Sequence, residues 1–143
     1  MASPPYGLIK GDPVRVRFLM DATGAAIVAG DFVEEAGTAG YVKQCAAGGL
    51  PFGVAYESQA LPSSDGGNAV LVEISTNCVY RYPPDAGTVT QALVGRTMDI
   101  GGAQSINIDA SADDCVVCVG VDIDNNTLDI MLCEPTKRFA GVV

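Results

Sequence analysis

The chain has 143 residues, 48% of them hydrophobic and 17% charged, with 17 Gly, 8 Pro and neither His nor Trp. A chain of this length buries roughly 68–70% of the surface it exposes when unfolded, enough for one core without staples. Its net charge of −9 repels phosphate backbones and anionic headgroups, which argues against nucleic acid and against a membrane as partners.

At the N-terminus, "MASPPYGLIKGDP" places Pro4, Pro5, Gly7, Gly11 and Pro13 within one short stretch, which excludes a regular helix and predicts an extended arm over residues 1–13. No cationic start leads into an apolar run, and no stretch of about 18 apolar residues follows, so neither export by a leader nor membrane insertion is expected. Five cysteines, Cys45, Cys78, Cys115, Cys118 and Cys133, are an odd number at irregular spacing. They predict reduced thiols and synthesis in a cytoplasm.

"VRVRFLM", residues 14–20, alternates apolar and basic side chains at period two, the pattern of a half-buried strand with Arg15 and Arg17 on one face. "DATG" then reads as a turn. Further strand-like runs follow: "AIVAGDFVEE", "GYVKQC", "FGVAYES", "NAVLVEIS", "NCVYRYP", "GTVTQAL", "QSINIDA", "CVVCVGVDI" and "LDIMLCE", each bounded by Gly, Asn, Asp or Pro. The spacing predicts an all-β fold, a compact barrel or sandwich of short antiparallel strands, as a single domain over 14–134 with a C-terminal tail over 135–143.

Three pairs of segments recur in the same order: "AGDFV" with "AGTVT", "PFGVAYE" with "VCVGVDI", and "AVLVEI" with "LDIMLCE". They define half-repeats over 29–74 and 86–134 in which the loop "SQALPSSDGGN" of the first half is matched by "DNNT" in the second. The alternative is chance likeness among Gly- and Val-rich strands.

The absence of histidine removes Ser-His and Cys-His couples and imidazole metal sites. Cys115 and Cys118 form a "CVVC" that reads as core, since side chains three apart on a strand diverge and no second pair stands at metal-ligand spacing. "DIDNNTLD", residues 122–129, lacks the Gly and Glu of a calcium loop, with Thr127 and Cys133 in their places, and reads as a hairpin turn. "DASADD" reads as a solvated acidic loop. In "VYRYPPD", Tyr80 and Tyr82 share a face opposite Arg81, and suit either a protein contact or a core rim. No catalytic, cofactor or metal residue is assigned; Arg15, Arg17, Tyr80 and Tyr82 are candidate contact residues by type.

The order "AGDFV", "GYVKQCAAGGLPFGVAYE", "AVLVEIS", "VYRY", "LVGRTMDIGG" and "VVCVGVDIDNNTLDIMLCE" resembles the head decoration, or capsid cement, proteins of tailed bacteriophages over about residues 12–134. The resemblance implies a non-enzymatic all-β virion protein. It would be made in the host bacterial cytoplasm, form a homotrimer, and bind the outer head surface by clamping neighbouring subunits of the major capsid protein. The arm would then contribute contacts through Pro4, Pro5, Tyr6, Leu8 and Ile9. Two other readings stand beside it: another virion β module of tail, baseplate or fibre, and a trimeric nucleotide hydrolase of the dUTPase kind. "TAGYV" only loosely resembles the uracil-binding hairpin of the hydrolase family, and its metal-holding aspartate and glycine-rich C-terminal arm are not evident.

Overall fold

A computed structural model describes residues 7–74 and 77–133. Eleven strands run in chain order: β1 (Gly7–Lys10), β2 (Arg15–Leu19), β3 (Phe32–Glu35), β4 (Val42–Gln44), β5 (Pro51–Ala55), β6 (Ala69–Glu73), β7 (Val79–Tyr82), β8 (Thr97–Gly102), β9 (Ser105–Asn107), β10 (Val116–Asp122) and β11 (Thr127–Leu132). They form two antiparallel sheets, one in the order β1-β7-β11-β10-β8-β9 and one in the order β2-β6-β5-β3-β4. The fold is all-β, as expected, and neither sheet closes into a barrel.

Two elements differ from expectation. "GTVTQAL" is no strand: it is a loop ending in a single 3-10 turn at Gln91–Leu93, and it plugs Val89 and Leu93 into the core. β8, whose "TMDIGG" has an aspartate and two glycines to dilute the strand signal, was not among the expected strands.

Each sheet curls so that the end of one strand bridges to a strand that is not its ladder partner. In the five-stranded sheet, the end of β2 meets β4 at a parallel bridge between Met20 and Val42, with the Asp21 N–H donating to the Val42 carbonyl at 2.9 Å. In the six-stranded sheet, the end of β7 meets β9 at Pro84 and Ile106, and the Asp85 N–H donates to the Ile106 carbonyl at 2.8 Å.

The two curls have one topology. Matching β2–β6 in order with β7–β11 turns the strand order β2-β6-β5-β3-β4 into β7-β11-β10-β8-β9, and β1 is the extra strand at the β7 edge. The match holds at single residues. Gly30, at φ +94°, donates to the Ala55 carbonyl at 2.8 Å, and Gly95, at φ +90°, donates to the Cys118 carbonyl at 2.7 Å. Both sit in the left-handed region where glycine carries no Cβ penalty. The Ala55 N–H then returns to the Asp31 carbonyl, and the Cys118 N–H to that of Arg96.

Glu34 of β3 accepts the Ala46 and Leu50 N–H groups at 3.3 and 3.4 Å, while Asp99 of β8 accepts those of Ala112, Asp113 and Asp114 at 2.8–3.1 Å. In each curl, an acidic side chain on the second strand thus holds the loop between the third and fourth. The register therefore pairs "IVAGDFV" with "ALVGRTM", in place of the pairing of "AGDFV" with "AGTVT" read from the sequence.

One core cluster lies between the sheets. It joins Tyr80, Tyr82, Ile100, Ile106, Val116, Cys118, Leu128 and Ile130 to Phe32, Cys45 and Val54 from the other sheet. A second fills the five-stranded curl with Met20, Ile27, Val33, Val42, Phe52, Ala55, Val70 and Val72. Phe52 and Val54, two apart on β5, belong to different clusters because the register slips between Val33 and Glu34. The bulge puts Phe52 on the side of Gly53. A Cβ at Gly53 would stand 2.5 Å from Val72 Cγ1, so the close crossing of β5 over β6 requires glycine there.

Candidate protein-binding surface

β2 is an edge strand. Among the described residues its one ladder is with β6, and Arg15, Val16, Arg17 and Leu19 are all exposed. Arg15 donates to Glu73 at 3.2 Å and lies 4.0 Å from the centre of the Tyr56 ring, a cation–π contact. Arg17 donates to Glu57 at 3.1 Å, and Glu57 also accepts from Gln59 and from the Leu71 N–H. These donors, Gln59 first, hold the Glu57 carboxyl below the usual range. Glu73 is buried, and burial raises its carboxyl above the usual range despite Arg15.

Beside this strand runs a groove of about 450 Å³ between β1 and the five-stranded sheet, lined by Gly7, Leu8, Ala29, Gly30, Tyr56 and Glu73 among others. The exposed apolar side chains Ile9, Val14, Val16, Leu19 and Tyr56 belong to these same elements or to the residues that flank them. Lys10, Arg15 and Arg17 against Asp12 leave residues 1–20 at net +2, so the rest of the chain carries −11.

The candidate residues divide. Arg15, Arg17 and Ile9 are exposed, and Leu8 is half-buried against the core between the sheets. Pro4, Pro5 and Tyr6 lie outside the described residues. Tyr80 and Tyr82 are corrected: both are 0% exposed, because the face they share packs against the five-stranded sheet in the core between the sheets. The Tyr82 hydroxyl donates to the Gly30 carbonyl at 2.6 Å, and the Tyr80 hydroxyl is buried facing Glu73. Burial raises both phenols above their ordinary range.

All five cysteines are free thiols, and burial pushes Cys45 and Cys118 up, away from the reactive thiolate. Cys115 and Cys118 both enter the core, with Gly49 and Gly120 carbonyls as separate partners. Residues 123–126 form the hairpin turn, where Asn126 adopts φ +54° and Asp122 accepts from the Asn125 amide. Among the described residues, no three metal-ligating side chains converge.

Sequence reading missed Asp31. Its buried carboxylate accepts Val28 N–H, Gln44 Nε2 and Gln104 Nε2, each at 2.8 Å, and Gln104 comes from the other sheet. An aspartate in a Gly-rich turn gives no signal of such a long-range partner.

Compared with known proteins, the chain matches no family model, no curated protein and no solved structure.

Proposed function

We propose that this chain is a non-enzymatic structural protein that binds the outer surface of an assembled phage head and clamps neighbouring major capsid subunits. The observation that carries the reading is the β2 edge with its flanking groove: an exposed strand bearing arginine, tyrosine and aliphatic side chains, mounted on two interlocked β curls. Tyr and Arg are the residue types enriched where proteins meet. A ligand that binds the assembled state stabilises it by mass action, and a trimer multiplies weak footprints.

The test is co-sedimentation with expanded, undecorated heads. Saturable binding at a fixed number of copies per head, with a trimer in solution or on the shell, supports the reading. Absence from heads, with the protein found on tails instead, reassigns it to another virion part.

A further inference from the structure

The two curls differ at one corresponding edge. The outer edge of β7 is covered by β1, with Gly7 opposite Arg81 and Leu8 opposite Tyr80. β2 is the counterpart of β7, and Arg17 that of Arg81: Arg17 stands opposite Leu71 on β6, and Arg81 opposite Asp129 on β11. No described strand covers β2.

Its free backbone groups can be assigned. Ile74 N–H donates to the Val14 carbonyl and Met20 N–H to that of Asn68, so even-numbered residues face β6. Arg15, Arg17 and Leu19 consequently turn their N–H and C=O outward. Natural edges are usually blunted by proline, charged side chains or a covering element; over Arg15–Leu19, β2 has its two arginines but no proline and no described covering strand.

The geometry points to the β2 edge as a docking site for an extended acidic segment of a partner protein, paired antiparallel as β1 pairs with β7. Charge complementarity selects the occupant, because Arg15 and Arg17 stand further out than the carboxylates they pair with, Glu73 and Glu57 being only 3% and 30% exposed. Arg15 and Arg17 keep 38% and 57% of their side chains exposed while bound to Glu73 and Glu57. Each guanidinium has five N–H donors, so both retain donors for an incoming carboxylate. Outward main-chain groups supply affinity and the arginines supply selection. The inference rests on the proposed function only in taking the protein as a binding module.

The probe is a blocked peptide of residues 7–12 carrying Lys10→Glu, with the unaltered peptide as its control. The expected result is saturable shifts of the Arg15, Arg17 and Leu19 amide resonances, with their hydrogen exchange slowed roughly tenfold. The control peptide should bind several-fold more weakly, and added salt should narrow that gap. Arg17→Pro removes one outward N–H without touching the β6 ladder and should abolish the shifts. Should that variant not fold, Arg15→Gln with Arg17→Gln leaves the edge intact and should erase the preference for the acidic peptide. Shifts elsewhere, none at millimolar peptide, or equal binding of both peptides would overturn the assignment. So would concentration-dependent shifts of the same amides without peptide, which assign the edge to a second copy. Peptide docking without head binding would count against the head reading alone.

Discussion

The Tyr82 hydroxyl donates to the Gly30 carbonyl across the two sheets at 2.6 Å, with the Tyr82 ring packed 4.4 Å from that of Phe32. Tyr82→Phe keeps the ring and strands the buried carbonyl, so it should cost about 1–3 kcal/mol. Urea denaturation measures this, and an unchanged midpoint would remove the bond from the account of how the curls are joined.

Asp31 and Gln104 form the second tie, their 2.8 Å bond reinforced by the Phe32 N–H donating to the Ala103 carbonyl at 2.8 Å. Asp31→Ala leaves the Val28 N–H and two glutamine amides without their acceptor and should be the more damaging single change. A double-mutant cycle of Asp31→Ala with Gln104→Ala should give a coupling energy of roughly 0.5–3 kcal/mol. Strict additivity would mean that the pair does not link the sheets.

Glu73 gives the pH dependence an unusual sign. Its carboxyl is raised by burial above the ordinary 4.5, so the folded protein holds that proton more tightly than the unfolded chain. Its contribution is full below the unfolded value and is lost as pH rises through the raised folded value. Wild type should therefore gain stability relative to Glu73→Gln as pH falls from 7 to 4. Chemical denaturation at both pH values checks it, and a flat or reversed difference would rule it out.

Gly53 and Gly37 offer a matched contrast. A Cβ at Gly53 meets Val72 Cγ1 at 2.5 Å and the Glu73 carbonyl at 2.6 Å, whereas one at Gly37 meets nothing within 4 Å. Gly53→Ala should destabilise by about 1–3 kcal/mol through overpacking, with Gly37→Ala within about 0.5 kcal/mol of wild type. Equal thermal midpoints for the two variants would contradict the tight β5–β6 crossing.

The all-β class was legible because alternation in "VRVRFLM" and the β-branched run "CVVCVGV" survive in β2 and β10. Alternation tells which residues share a face and leaves open which face is inside. Tyr80 and Tyr82 do share a face, yet its burial depends on the five-stranded sheet packing over it, which the residues of β7 do not announce. The shared topology was hard to register for a similar reason: Asp99 follows Glu34 by 65 residues, while Ile130 follows Val72 by 58, so no fixed period aligns both. Arg15 and Arg17 were readable as surface groups. That their strand is an edge was not, because an outward arginine also stands on the interior strand β7, as Arg81, so the residue type does not tell the two apart.

The first strand of the chain is stitched to the seventh, so Gly7–Lys10 leave a ribosome long before Val79–Tyr82 exist to receive them. The five-stranded curl is complete by Glu73 and can settle while the rest is being made. Among the described strands β1 and β7 are the paired strands farthest apart in sequence, and a nascent chain truncated before residue 79 leaves Leu8 without the sheet it joins.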